Sequence, residues 1–169
     1  ALGVFAWSTL VEPRLFTVRH AALPTLPPGS APLRVLQLSD LHLAPWQRRK
    51  IAWIRSLVEL RPDLIVLTGD MMGVGDKEAA ISGRLSPAPR LSEPRSVGIS
   101  ALLHTLHPFA DAGVPTVFVH GSNDYYGPKF KNPMKYLMEP SRASTRLPDI
   151  DNEELTRQLV SLGAVDLNN

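Results

Sequence analysis

Three short apolar runs, each closed by a burst of polar residues, constrain this chain more than any other feature. They are PLRVLQLS (residues 32–39), DLIVLTGD (63–70) and VPTVFVHG (114–121). Each is short, apolar and bounded by turn residues, so each reads as a buried strand, with Val35, Leu36 and Leu38 buried in the first. Helical spacing separates them. In PWQRRKIAWIRSLVELRPD, Ile51, Trp53, Ile54, Leu57 and Val58 form an apolar face, Arg48, Arg49, Lys50 and Arg55 lie mostly outside it, and Pro62 stops the helix. VGISALLHTLHPFADAG resumes the spacing through Ile99, Leu102, Leu103 and Leu106, with Pro108 disturbing its end. DNEELTRQLVSLG reads as a third helix, capped by Asp151 or Asn152, with acids in its first turn and Gly163 at its end. AVDLNN then begins another strand. Strands that alternate with helices pair in parallel through right-handed crossovers, which is an α/β architecture.

The rest of the chain is less patterned. ALGVFAWSTLV, at the start, is apolar but too short to span a bilayer. It reads either as the tail of a signal or anchor segment or as a buried first strand or packing arm. RLFTVRHAAL (14–23) suggests an edge strand, and PTLPPGSAP an extended linker. Residues 1–32 thus form an arm ahead of a domain at 33–169. Ser82 to Ser96 reads as a mobile surface insertion, and residues 125–149 as mostly loop with a helical turn near Met134 to Met138. The 169 residues suffice for one domain with a core. A net charge of +2 does not argue for nucleic acid, and with no basic groove pattern interleaved with aromatics a nuclease is not expected. The absence of cysteine excludes disulfides, thiol nucleophiles and cysteine–zinc sites.

The strand ends carry the chemistry. The first ends in Asp40-Leu41-His42, the second in Thr68-Gly69-Asp70, and the third in His120-Gly121-Ser122-Asn123-Asp124. In a parallel sheet such groups collect beyond the carboxyl ends of the strands. In extended backbone, residues two apart face one side, so Asp40 and His42 can bind one cation while Leu41 points into the core. Gly69 and Gly121 leave room for turns beside them. Oxygen and nitrogen donors without sulfur suit Mn, Fe, Zn, Co or Mg. Each fragment alone is a common turn, but three in chain order are hard to ascribe to loop chemistry. His104 and His107, three apart on a helix, read as solvated face rather than as a metal pair.

LSDLHL, LTGDMM and VHGSNDYYG resemble the first three motifs of the calcineurin-like metallophosphoesterases, over Leu33 to Asn169. The likeness is greater to the bacterial branch associated with UDP-2,3-diacylglucosamine hydrolase activity. The resemblance implies a four-layer αββα sandwich with two divalent metal ions. Asp40 and His42 would hold the first, Asp70 would bridge both, and Asn123 would hold the second. A hydroxide activated by both metals would then hydrolyse a phosphodiester or pyrophosphate bond.

The sequence departs from that pattern twice. The family's third motif is usually Gly-Asn-His-Asp; here it is Gly121-Ser122-Asn123-Asp124. Matched residue for residue, Ser122 takes the ligand place; slipped by one, Asn123 keeps it, and an amide oxygen is the better neutral ligand. The usual histidine acid is missing either way, which leaves Asp124 and His120 as candidates for proton transfer. No histidine follows Asp124, although the family draws three more ligands from its second half. The chain is therefore expected to be an incomplete sandwich, inactive by itself. Lys129 and Lys131, with Lys135, Arg142 and Arg146, would draw in phosphate or anionic headgroups or form a solvated loop. Tyr125 and Tyr126 would stack on substrate, line a lipid cleft or pack into the core. The expected partners are a phosphorylated small molecule or lipid-linked substrate and a membrane surface, with membrane association favoured over the cytoplasm. The alternative is a catalytically degenerate binding domain of the same family.

Overall fold

The apolar runs pair side by side in a computed structural model, described here for Trp7 and for residues 15–73, 95–126 and 152–168. The elements are β1 (Val35–Leu38), α1 (Arg48–Ser56) running into a 3-10 turn (Leu57–Leu60), β2 (Leu64–Thr68), α2 (Arg95–Asp111), β3 (Thr116–Val119), α3 (Ser122–Tyr125), α4 (Glu153–Ser161) and β4 (Ala164–Asp166). The four strands form one parallel sheet in the order β1-β2-β3-β4. Leu38 lies opposite Leu67, and Leu67 opposite Phe118.

Because the strand order steps always in one direction, crossovers of a single hand leave α1, α2 and α4 on the same side of the sheet. Leu38, Ile65, Leu67, Phe118 and Ala164 point to that side. They meet Ile54 and Leu57, then Ile99, Leu102, Leu106 and Phe109 of α2, then Leu155 and Leu159 of α4. Ile65, Leu67 and Phe118 are fully buried, and burying each such side chain contributes about 1.5–3 kcal/mol. The fold is thus α/β, as the alternation requires.

The opposite face carries the intervening residues of each strand. Val35 is 47% exposed and Val165 55% exposed, with Leu64, Val66, Val117 and Val119 half-buried. The expectation that Val35 is buried is therefore corrected. Among the described residues β1 is the sheet edge, and the described helices cover only the face to which Leu38 points. A second sheet, implied by the resemblance, is not among the described residues.

Local chemistry explains the other boundaries. Arg61 takes a left-handed turn (φ 50°) before Pro62, ending the 3-10 turn. Pro108 sits inside α2, which continues to Asp111. A proline has no N–H to give the carbonyl one turn earlier, that of His104. The guanidinium of Arg55 donates to that carbonyl instead, joining α1 to α2. α2 begins at Arg95, inside the stretch read as insertion; residues 82–94 lie outside the described residues, as does the helical turn expected near Met134.

The edge strand expected at 14–23 is not formed among residues 15–23. Among the described residues no sheet neighbour reaches it; the Phe16 ring stacks on Trp53 of α1, with centroids 5.2 Å apart. The proline-rich linker that follows closes a turn at Pro27-Pro28-Gly29-Ser30, where Gly29 supplies φ 87° and the Ser30 N–H donates to the Pro27 carbonyl. No helix among the described residues is long and apolar enough to cross a membrane.

Candidate metal centre

Strands β1 and β2 end, but their backbones stay hydrogen-bonded. The N–H of Asp40 donates to the Gly69 carbonyl (3.1 Å), that of His42 to Asp70 (2.9 Å) and that of Leu43 to Met71 (3.0 Å). A last bridge joins Leu43 and Met72. The two loops therefore run abreast and carry their side chains past the sheet edge together.

The backbone in this run is not extended. Asp40 (φ 51°), His42 (φ 39°) and Asp70 (φ 50°) are left-handed, as is Gly69 (φ 90°). Such a conformation costs a non-glycine residue roughly 1–3 kcal/mol and persists only where its surroundings hold it. The extended-strand argument for Asp40 and His42 is thus corrected in its geometry. They share a side because both flip into the left-handed region, while Leu41 between them is buried in the core.

The result is a cluster. One ligand atom from each of Asp40, His42 and Asp70 lies within 4.8 Å of the other two. His42 Nε2 is 3.9 Å from Asp70 Oδ2, with side chains 44% and 17% exposed, so the group is open to solvent on one side. Two carboxylates and an imidazole, with no sulfur, are the donor set that a divalent Mn, Fe, Zn, Co or Mg ion takes. The residues present fit such an ion.

The third strand end docks onto this pair. Gly121 begins the short helix α3 in a region so tight that a methyl there would overlap the Asp70 backbone nitrogen and carboxylate. The absent side chain lets α3 aim its first turn at Asp70. Asn123 donates twice to that carboxylate, from its backbone N–H to Oδ1 (2.8 Å) and from Nδ2 to Oδ2 (2.9 Å). Ser122 is exposed at the start of α3.

The candidates for proton transfer lie deeper. His120 has a side chain only 2% exposed and bonds through Nε2 to Thr156 Oγ1 of α4 (2.8 Å). Its ring packs edge-on against Phe118 and Tyr125. Asp124 is fully buried and accepts hydrogen bonds from the N–H groups of Gly121, Met71 and Met72. Tyr125 is half-buried against His120, and Tyr126 lies beside it. Lys129 and Lys131 lie outside the described residues.

Sequence reading missed three supports. Ser39 donates its hydroxyl to Asp40. Lys50 reaches from α1 to the carbonyl of Leu41, between Asp40 and His42, and burial pushes its ammonium below the ordinary lysine range. Asn168 accepts from the His120 N–H (3.0 Å), tying the segment after β4 to the third strand end. Of these only Ser39, adjacent to the ligand, left a signal in the sequence.

Comparison with known proteins agrees with this geometry. The chain is similar to the Bos taurus "Transmembrane protein with metallophosphoesterase domain", 28% identical over 139 residues. That match covers 81% of this chain and 27% of the relative's length. No solved structure gives a significant match. The calcineurin-like phosphoesterase family matches residues 33–163, a span that opens just before β1 and takes in all three polar strand ends. On that match, the chain belongs to the calcineurin-like phosphoesterases.

Proposed function

We propose that this chain supplies the first half of a metal-dependent phosphoesterase centre. In this reading Asp40, His42 and Asp70 hold one divalent cation, and Asp70 is shared with a second that Asn123 joins. The bond cleaved is a phosphodiester or pyrophosphate, and the substrate is lipid- or nucleotide-linked, as in the UDP-2,3-diacylglucosamine hydrolase branch. The observation that carries the reading is the convergence of Asp40, His42 and Asp70 within 4.8 Å from two separate strand ends.

A divalent cation bound there supplies Lewis acidity toward a phosphoryl oxygen and makes water a better nucleophile near neutral pH. The chain's own residues do the rest. Asp70 and Asp40 present negative charge to the cation. Asn123 orients Asp70 through its two donated bonds. The open side of the cluster, where His42 is 44% exposed, admits a phosphate group. Membrane association is part of the proposal: the bovine relative is described as a transmembrane protein, and a lipid-linked substrate would be met at a membrane surface.

The test is Mn²⁺-dependent turnover of bis-nitrophenyl phosphate by the complete gene product, with metal content measured in parallel. Turnover that vanishes on chelation and returns with Mn²⁺ supports the reading. Metal binding without turnover supports the degenerate binding domain, which the Ser122-Asn123 departure in the third motif favours. No metal binding at all overturns the metal-centre reading.

A further inference from the structure

Asp124 is buried without being at the solvent-open cluster, and its bonds cross between two loops. A buried carboxylate is costly unless hydrogen-bonded, so its partners say what it is for. It accepts from the N–H of Gly121 at 2.9 Å, which closes the first turn of α3. It also accepts from the N–H groups of Met71 (3.4 Å) and Met72 (3.3 Å), the two residues that follow Asp70. Asp70 in return accepts from the N–H and Nδ2 of Asn123, the residue before Asp124. Each loop thus places one carboxylate against donors of the other. The exchange is reciprocal, and it brackets the left-handed Asp70 on its C-terminal side.

We propose that Asp124 is a positioning residue for the metal centre. Its carboxylate clasps the Met71 and Met72 N–H groups, which holds Asp70 in its left-handed turn and in register with Asn123. This rests on the metal-binding reading above, and it assigns to the fourth residue of the third motif a task distinct from proton transfer. A proton donor would leave resting metal affinity unchanged when replaced. A clasp would not, because groups that orient metal ligands commonly alter affinity roughly 10- to 100-fold.

The experiment titrates Mn²⁺ into the chain and into Asp124→Asn, Asp124→Ala and Phe109→Leu, with melting temperatures recorded for each. Phe109 is buried in the same core near the end of α2, where its carbonyl accepts from the Val114 N–H before β3 begins, at the edge of the sheet opposite the ligand loops, and it serves as the control for general destabilisation. The expected order of affinity is wild type, then Asp124→Asn, then Asp124→Ala, because an amide oxygen can still accept part of the clasp. The Phe109→Leu protein is expected to bind as wild type does. Hydrogen exchange of residues 69–73, without metal, is the second measurement, and Asp124→Asn is expected to speed it at Met71 and Met72. Wild-type affinity in Asp124→Asn, or equal loss in Phe109→Leu, overturns the clasp. If the wild-type chain binds no Mn²⁺, the metal reading fails, and unchanged exchange at Met71 and Met72 then separately overturns the clasp.

Discussion

Among the described residues, histidine and aspartate meet in two places at least partly open to solvent. On α2, His107 Nδ1 lies 2.8 Å from Asp111 Oδ2, one helical turn apart, with side chains 60% and 66% exposed. At the strand ends, His42 lies 3.9 Å from Asp70, a looser contact between residues far apart in the chain. The tighter pair is the less informative one. Helix geometry brings any residues four apart together, and such surface pairs contribute only a few tenths of a kcal/mol. The looser pair requires two loops to remain hydrogen-bonded past the end of their strands. It also requires three residues to sit in left-handed backbone, and a third strand end to add Asn123. Contact distance alone does not mark a site; convergence held against conformational cost does.

The largest effect expected from breaking this contrast is at Asp70. Asp70→Ala removes both a proposed ligand and the acceptor of two Asn123 bonds, and Mn²⁺ affinity should fall on the order of 100-fold or more, read by calorimetric titration. Retained affinity would mean that the strand ends do not form the metal site. Gly121→Ala comes next. The new methyl overlaps Asp70, so α3 must move away from β2. Loss of stability of roughly 1–3 kcal/mol should accompany weakened Mn²⁺ binding, seen in urea melts and in the same titration.

The two histidines sharpen the comparison directly. His42→Ala should weaken Mn²⁺ binding by roughly 10- to 100-fold, while His107→Ala should leave it unchanged and shift stability by less than about 0.5 kcal/mol. An equal loss in both would give α2 a metal role. The smallest effect concerns Lys50. Burial lowers its pKa below the ordinary 10.5, so the folded chain holds fewer protons than the unfolded one between the lowered value and 10.5. Stability should therefore gain from Lys50 as pH rises through that window, and the gain should be absent in Lys50→Met. Urea midpoints measured across alkaline pH test this, with a difference under about 1 kcal/mol because the side chain is only partly buried.

Much of this was legible in residue order. Leu36 to Leu38, Leu64 to Thr68 and Thr116 to Val119 announced strands because short apolar runs between turn residues have few other ways to bury themselves. Asp40, His42, Asp70 and Asn123 were legible as polar groups at strand ends, and parallel pairing brings such ends to one edge. The burial of Val35 was misjudged, because the sequence does not state which face of a strand the helices cover. The expected strand at 14–23 failed for a related reason: β propensity is local, but a ladder needs a partner edge.

Residue order alone determined the alternation of strands and helices, and with it a parallel sheet whose polar ends lie together. The left-handed turns at Asp40, His42 and Asp70, the exchange of carboxylates between Asp70 and Asp124, and the role of Arg55 in serving the carbonyl opposite Pro108 were decided only in the folded chain. The reason is physical. Periodicity is a property of neighbours along the chain, whereas an unfavourable backbone conformation or a buried charge survives only where distant groups converge to satisfy it.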